Sequence, residues 1–591
     1  ATTELAASNG TISIWLDDNN ISTATVNEAI TGGEAIIKGK FDQDSASTLA
    51  NQINSGSLPF ALSAESYSTI SPTLGAKSLD VMVQAGIIAF LLVAVMMIVR
   101  YRLPGTIAVI SLMGQVAATL AVVSGYFTVF PGSTLTLPGI AGIILGIGMG
   151  VDANVITAER IKEELSKNKT LEGAVKSGFK MGLTPIIDGN VTIVIVAAIL
   201  MGAFGPTDGF WAKVFNPIFF WFGPSTAGTI YSFGFTLLTS VLLNFVFGVW
   251  ATRVMIRGAV HFKPLRKAWL FGGKKEGGAD FKTPSINFIG NRKKFYTFSC
   301  ALIAIVLVFC GIFGVKMDVE FKGGSMVTLS YEGEADLNAL KSTISTELNK
   351  SNLTLQTGSD ISGSQTLTVT LPGSETLTTD QMNSLLTTLN EQYPANNFVQ
   401  NEVNNVDATI GKEFLLKSIV ALIAACVLIL LYVAYRFRKI GGLKAGSTAI
   451  VALLHDMFVV FGVFVILRIP LNGNFIAALL TSLGYSINDT VVIYDRIREN
   501  SALYGKKQMS LAELVNLSVN QSFSRSLMTS ITTCLALGVV CVISVIYRLD
   551  SIYSFAFPLL FGMVSGVYST ICIATPLWVD WKSKKKAAKK A

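Results

Sequence analysis

The fold is decided by two stretches, GIAGIILGIGMGVDANVITAERI at residues 139–161 and FIAALLTSLGYSINDTVVIYDRI at residues 475–497. They occupy the same place in two copies of one apolar segment. An offset of 336 residues aligns Arg160 with Arg496 and continues without a gap back to the Arg-x-Arg pairs that begin each copy. A duplicated apolar bundle with acids inside its helices is typical of ion-driven transporters.

Small residues recur every fourth position in both copies, on one face of each predicted helix. Such faces let two helix backbones approach closely inside a membrane. We therefore predict helix-packing roles for Gly142, Gly146, Gly150, Ala478, Ser482 and Ser486.

The composition indicates a polytopic α-helical membrane protein. Of the 591 residues, 51% are hydrophobic and only 14% are charged, and the mean hydropathy is +0.54. Uncharged stretches of about 20 residues are long enough to cross a bilayer. We predict eleven spans, at 80–99, 106–127, 135–158, 182–203, 229–252, 297–315, 414–435, 446–467, 474–495, 524–546 and 553–577.

Charge placement predicts the orientation. Residues 319–412 contain eleven acids, four lysines and no arginine, and residues 1–79 are also acidic. Arginine and lysine are instead concentrated at the opposite ends of the spans, in the connector near 253–294 and in the C-terminal tail. The positive-inside rule puts the basic side in the cytoplasm and both acidic blocks outside. The net charge of +8 then reflects topology, and nucleic-acid binding is not expected.

An acidic block that lies outside needs a preceding span, and none precedes residue 1. We therefore expect a missing N-terminal piece that carries one more span. All six cysteines fall within apolar spans, so neither a disulfide framework nor a cysteine metal site is expected.

The second outer block, 318–413, alternates strand and helix patterns in the order βαββαβ, which predicts a ferredoxin-like α+β domain. The first block offers strands at 12–17, 34–41 and 59–70 and a helix at 45–56, as part of a similar α+β unit. Neither block contains a catalytic cluster. Binding of an extended polypeptide at a sheet edge is a reasonable role, with a structural spacer as the alternative.

Asp152 and Asp489 lie deep in the two repeated helices, one register step apart. Asp152 precedes Arg160 by roughly 12 Å along a helix, too far for its side chain to reach the headgroups. An ionised acid at that depth costs roughly 3 kcal/mol or more. Both acids should therefore face protein or water inside the bundle and exchange a proton or sodium ion, unless they serve as buried structural bonds.

Other polar residues accompany these acids. Asn154, Asn488 and Thr490 lie in the same helical turns, and Arg525 opens a later span as a candidate counter-charge. The alternative for Arg525 is a side chain that reaches back to lipid headgroups. Three more residues could support an ion relay: Asp188, Asn190, and Asp456, which follows His455. Their alternative role is a buried hydrogen bond or ion pair that holds helices together.

No nucleotide site is predicted. The glycine pattern GGLKAGST at 441–448 lacks the lysine that a phosphate-binding loop requires. Energy would then come from a membrane gradient, with a proton or sodium as the coupling ion and no metal or other cofactor.

Several motifs resemble the SecD/SecF family of the protein-export machinery. They are TLPGIAGIILGIGMGVDANVITAERIKEEL, GYSINDTVVIYDRIREN, VEFKGGSMV, ALLHD, NQSFSRSLMTSITT and SPTLG. The resemblance covers nearly the whole chain and implies both halves fused on one polypeptide, within the resistance-nodulation-division superfamily and with 12 spans expected. It implies that Asp152, Asp489 and Arg525 occupy ion-relay positions.

The resemblance also implies partners and a location. An accessory subunit of the Sec pathway would sit in the bacterial inner membrane beside the SecYEG channel, with YajC-like and YidC-like proteins, membrane lipids and a translocating preprotein as further partners. Two alternatives stay open: an efflux pump of the same superfamily for amphiphiles or lipids, and a passive scaffold. The longer aromatic segment 204–228 departs from the family and predicts a stretch lying in the outer membrane interface.

The predicted organisation has seven parts. They are a SecD-like outer domain (1–79), a SecD-like five-span bundle (80–256), a basic connector (257–296), the first SecF-like span (297–317), a SecF-like outer domain (318–413), a SecF-like five-span bundle (414–577) and a basic tail (578–591).

Overall fold

The computed structural model describes most of the chain. The described residues are 2–8, 10–16, 19–30, 36–39, 41–42, 45–47, 49–50, 66–70, 72–127, 133–223, 228–273, 285–350, 353–359, 365–373 and 377–588. Contacts divide the chain into a small unit, Ala1–Ala64, and a large one, Glu65–Ala591.

The small unit contains a short helix and a hairpin. Helix α1 (Thr2–Ala7) precedes strands β1 (Thr11–Leu16) and β2 (Asn19–Thr25), which pair antiparallel. The predicted strand at 12–17 is β1. The described residues of the predicted strand at 34–41 are not in a strand, and most of the predicted helix at 45–56 lies outside the described residues.

Eleven helices in the described part of the chain are long and apolar enough to cross a membrane, and each overlaps one predicted span. The prediction of a polytopic helical protein is confirmed. The helices of the large unit, outside its outer domain, are α2 (Pro72–Tyr101), α3 (Leu103–Val123), α4 (Leu137–Gly150), α5 (Asp152–Ser166), α6 (Leu171–Phe204), α7 (Phe210–Phe219), α8 (Gly228–Asn244), α9 (Thr252–His261), α10 (Arg292–Phe313), α13 (Ala408–Arg436), α14 (Gly442–Ile466), α15 (Gly473–Gln508), α16 (Leu511–Ile546), α17 (Asp550–Ser569) and α18 (Thr575–Ala588).

Four of the predicted small residues, Gly142, Gly146, Ser482 and Ser486, face the last span of their own half, whereas Gly150 faces Leu112 and Gln115 of α3. Helix α4 packs on α8, where Ser240 leaves no space for a Cβ atom on Gly146. Helix α15 packs on α17 in the same way, with Ser482 and Ser486 against Gly562 and Gly566. The two halves then meet through α6 and α15, so the repeated helices run through the centre of the bundle.

The outer domain of the second half has the predicted βαββαβ element order. Its elements are β4 (Gly324–Tyr331), α11 (Leu337–Glu347), β5 (Thr354–Ser359), β6 (Gln365–Pro372), α12 (Thr379–Gln392) and β7 (Val399–Val406). Together with β3 (Ser66–Ile70), the strands form one antiparallel sheet in the order β3-β7-β4-β6-β5. The two helices cover the sheet over an apolar core that includes Leu329, Leu340, Leu367 and Leu385, all fully buried.

Strand β3 (Ser66–Ile70) comes from the first half of the chain but belongs to the sheet of the second. It pairs antiparallel with β7 over five residue pairs, from Ser66 opposite Val406 to Ile70 opposite Glu402. The sequence predicts this strand as the end of segment 59–70 and assigns it to the first outer domain. That assignment is wrong. The alternation of its residues signals a strand but cannot indicate which sheet it joins.

Segment 204–228 contains the amphipathic helix α7. Phe210, Val214 and Ile218 recur at four-residue spacing and are exposed, whereas Phe215 packs against Gly202 of α6. An apolar stripe at that spacing on a short surface helix is suited to a membrane interface.

Candidate ion-relay site

The first acid of the site stands where a helix is interrupted. Helix α4 ends at Gly150 and α5 begins at Asp152, with Val151 in a turn between them. In the second repeat, helix α15 runs through Asp489 without a break. The two copies of the segment therefore differ in backbone continuity at their acids.

Two neutral side chains bind the Asp152 carboxylate. The Asn488 amide nitrogen donates to Oδ2 at 3.0 Å, and the Thr529 hydroxyl donates to Oδ1 at 2.9 Å. Asn488 lies on α15 and Thr529 on α16, so this carboxylate joins the first repeat to two helices of the second. Hydrogen bonds of this kind favour a charged carboxylate without neutralising it.

The second acid, Asp489, has a looser set of neighbours. The Ser530 hydroxyl donates to its Oδ2 at 3.5 Å. One turn earlier on α15, the buried Tyr485 hydroxyl shares a 2.8 Å hydrogen bond with Thr533. Ser530 and Thr533 lie one residue and four residues beyond Thr529 on α16, so one polar stretch of α16 serves both acids.

Both acids are accessible in stretches where everything else is buried. Every residue from 138 to 158 is buried except Asp152, and every residue from 476 to 497 is buried except Asp489. The two roles that the sequence left open, ion exchange and buried structural bonding, stay predictions for both acids.

Arg525 is buried on α16, within electrostatic range of both acids. Among the ion pairs of the described residues, none within 4.0 Å joins it to either carboxylate. This burial favours the predicted counter-charge over an arginine that reaches the headgroups. Two carboxylates and one guanidinium leave one negative charge to be balanced when all three are ionised.

Crossed ion pairs join the repeats near one end of this site. Arg160 binds Glu499 at 2.9 Å and Arg496 binds Glu163 at 2.7 Å, and these residues are equivalent under the 336-residue offset. Each arginine also binds the glutamate three residues ahead on its own helix. A pseudo-twofold arrangement of four charges thus holds α5 against α15.

A cavity of about 540 Å³ opens beside this network. Its lining includes Asp495, Glu499, Arg498 and Lys439. Asp495 lies six residues beyond Asp489 on α15, roughly 9 Å along the helix axis. Its charged lining carries both signs, and residues 490–497, which separate it from Asp489 along α15, are all buried.

The remaining predicted residues lie apart from the two acids. Asp188 accepts from Arg436 at 2.7 Å and from Tyr432 at 3.1 Å, so it ties α6 to α13. Asn190 is buried two residues further along α6. Thr490 bonds to Thr570 at 2.7 Å.

Asp456 and Asn154 make no hydrogen bond to either relay acid among the described residues. Asp456 bonds to three serines on neighbouring helices rather than to the acid pair. Asn154 is buried, and its side-chain atoms make no hydrogen bond with the described residues. Their roles as relay support stay predictions.

Thr529 and Ser530 were not singled out from the sequence, although both hydroxyls donate to the acids. Their position one turn beyond Arg525 was a usable signal, because residues four apart share a helix face. The crossed glutamates were also recoverable, since Glu163 and Glu499 are equivalent in the repeat register.

Comparison with known proteins agrees with this architecture. A family model described as protein export membrane protein SecD/SecF, C-terminal, matches residues 52–214 and 385–584, so both halves match the same model. Residues 1–60 match the model of the SecDF P1 head subdomain.

Two similar relatives are protein translocase subunits SecDF. The Bacillus subtilis protein is 30% identical and the Thermus thermophilus protein 31% identical; each match covers 98% of this chain, with 76% and 72% of the relative covered. The crystal structure of Thermus thermophilus SecDF superposes with a TM-score of 0.73 at 29% identity, covering 98% of this chain and 73% of that one. These relatives favour protein export over the efflux-pump alternative.

Proposed function

Because the chain belongs to the SecD/SecF family of protein-export membrane proteins, we propose that it is an ion-driven motor of that machinery. It is a multi-pass membrane protein and an accessory subunit of protein export, associated with the Sec translocon.

One observation carries the proposal: Asp152 and Asp489 are accessible, while every other residue of their stretches is buried. Two acids and the buried Arg525 leave one negative charge, which a single proton or sodium ion balances. Loading and release of that ion changes the net charge at the seam between the halves. Such a change favours one packing of the two half-bundles when the ion is bound and another when it is absent.

The outer domains would move with the half-bundles. Helix α15, which carries Asp489, begins at Gly473, and the Gly473 amide donates to the Glu320 carboxylate of the second outer domain at 2.6 Å. Strand β5 forms an edge of the sheet in the described part of the chain. An extended preprotein could add to that edge through main-chain hydrogen bonds and be drawn outward as the domain moves.

The setting follows from the charge distribution and the family. The acidic domains face outward from a bacterial inner membrane and the basic loops face the cytoplasm. The proposed partners are the SecYEG channel, YajC-like and YidC-like membrane proteins, and the preprotein. The coupling ion is a proton or sodium, and no other cofactor takes part.

Vesicles that contain the translocon and this protein would test the proposal. Asp152→Asn with Asp489→Asn is expected to abolish the part of preprotein translocation that depends on an imposed gradient, while the protein still inserts in the membrane. The matched control is Glu164→Gln, which removes a buried acid outside the site that pairs with Lys167 and Lys169 at the end of α5. Unchanged gradient dependence in the double variant would refute the motor and favour a passive scaffold.

A further inference from the structure

The cavity of about 540 Å³ beside the crossed ion pairs, here called the open groove, has a counterpart in the other half of the molecule. Its walls come from α6, the short helical turn Arg438–Ile440 and the end of α15. The 336-residue offset maps these walls onto α16, the junction of α2 and α3, and the end of α5. The offset is valid here, because the crossed ion pairs obey it. The lining residues Thr184, Lys439, Arg498 and Ser501 correspond to Asn520, Leu103, Lys162 and Leu165.

In the counterpart, α16 binds the connector between the two halves of the chain. Asn520 holds the main chain of Ile286, whose amide donates to Oδ1 at 2.9 Å and whose carbonyl accepts from Nδ2 at 2.8 Å. Asn516 Oδ1 accepts from the Phe288 amide at 2.9 Å, and the Phe288 ring lies 5.7 Å from the ring of Phe523. Two asparagines and one aromatic side chain thus bind a short peptide segment, chiefly through its main chain.

The opposite wall of the counterpart binds an earlier part of the connector. Arg102 donates to the Trp269 carbonyl at 2.6 Å, and its guanidinium lies over the indole ring. Leu103 packs against the apolar cluster that contains the buried Phe271. Both walls of this groove therefore contact the connector.

The open groove has groups of the same kinds at the equivalent positions. Thr184 presents a hydroxyl at the position of Asn520, and Ile187 is exposed at the position of Phe523. Arg438, at the position of the connector-binding arginine, makes no hydrogen bond or ion pair with the described residues. Because the filled groove and the open groove share this layout, a peptide segment is the occupant that the open groove fits.

The charges of the open groove indicate what its occupant carries. The two lining acids are already paired, Asp495 with Arg498 and Glu499 with the crossed arginines. Lys439 and Arg438 make no ion pair with the described residues, so two positive charges are uncompensated. An acidic side chain would complement them, whereas the lysine-rich C-terminal tail of this chain has the wrong sign.

We propose that the open groove is a docking site for a segment of a partner protein, an extended peptide with one large apolar and one acidic side chain. The main chain of the segment binds at Thr184, and its apolar side chain covers Ile187. Its acidic side chain pairs with Lys439 or Arg438. The charge distribution places both grooves on the cytoplasmic side. The relay acids take no part in this site, so it does not depend on the proposed motor.

A fluorescent peptide tests the site on the purified full chain in detergent. The probe is Asp-Ser-Ile-Asn-Phe-Ile-Gly, the connector sequence of residues 285–290 preceded by an aspartate. Fluorescence anisotropy should show saturable binding to the open groove, since the chain's own connector fills the other one. Lys439→Glu should weaken this binding by about tenfold, because an attraction becomes a repulsion. Lys341→Glu, the same charge change at an exposed position on α11 of the outer domain, is the matched control and should leave the affinity unchanged.

A gain of affinity provides a second test that misfolding cannot imitate. Lys180→Asn with Thr184→Asn gives α6 the pair of asparagines that binds the connector on α16, and should tighten peptide binding by about fivefold. A parallel titration with dihexanoyl phosphatidylglycerol, whose headgroup is also anionic, separates a lipid site from a peptide site. Peptide binding that none of these groove changes alters, or Lys439-dependent binding of the lipid alone, would overturn the proposal.

Discussion

The carboxylate of Asp152 accepts a hydrogen bond at 3.0 Å from Asn488, the residue at its own position in the other repeat. Equivalent positions of a duplicated segment meet where a pseudo-twofold axis passes between the copies. The two residues differ in charge, so this axis relates an acid to a neutral amide, and the second acid stands one residue further on. The site is therefore asymmetric at the point where the halves touch.

Asn488→Ala should slow gradient-dependent translocation because it removes a donor that orients the Asp152 carboxylate. A hydrogen bond to a charged group is worth about 1.5–3 kcal/mol, so a decrease of about tenfold in rate is expected. Translocation into vesicles under an imposed gradient measures it. Asn244→Ala on α8 is the control, since that buried asparagine lies outside the site and its Oδ1 accepts no hydrogen bond from the described residues; equal effects of the two changes would contradict the assigned role.

Glu499→Gln should destabilise the contact between the repeats, because Glu499 accepts from both Arg160 and Arg496. Because the glutamates are partly exposed and both arginines keep Glu163, the loss should be about 1–2 kcal/mol, between the values for exposed and buried pairs. Thermal unfolding in detergent should show a lower Tm, and Glu163→Gln should lower it by a similar amount. Glu172→Gln breaks the exposed pair with Arg266 and is expected to cost less than about 1 kcal/mol.

The buried surroundings of Glu320, which include the Gly473 amide, should open more readily as the pH rises, because the ionised carboxylate is poorly solvated there. Burial, and then the neighbouring Asp318 and Glu402 carboxylates, raise the pKa of Glu320 to about 7 from its ordinary value of 4.5. Because the pKa is raised in the folded protein, the stabilisation is complete below about pH 4.5 and is lost as the pH rises through about 7.

Hydrogen exchange of the Gly473 amide, corrected for its intrinsic pH dependence, measures this loss. Glu320→Gln keeps an oxygen acceptor but does not ionise, so protection should no longer change between about pH 5 and pH 8. Protection in the native protein that stayed constant over that range would contradict the role of Glu320.

Gly146→Ala should destabilise the first half-bundle, since Ser240 occupies the space that a Cβ atom needs. Overpacking of this kind costs typically about 1–3 kcal/mol. Gly538→Ala on α16 is the matched control because nothing lies within 4 Å of its Cβ position, and helix propensity there favours alanine by about 0.8–1.0 kcal/mol. The two variants should shift the Tm in opposite directions.

The sequence predicted what depends on local pattern and on the repeat. Hydropathy located all eleven spans, alternation gave the βαββαβ order, and the 336-residue offset already paired Asp152 with Asn488. It could not predict contacts that depend on helix rotation, such as Thr529 on Asp152, nor the pairing of Arg436 with Asp188 across the halves. Hydrogen-bonded strands from distant segments, such as β3 on β7, leave no local trace in either strand.

Strand β3 continues almost directly into α2, the first span of the first half, while β7 continues into α13 of the second. The peptide connector is thus one of several links between the halves, and the shared sheet edge is another. Cleavage of the connector would be expected to leave two fragments that copurify, and a split gene could supply the same assembly from two separately translated polypeptides.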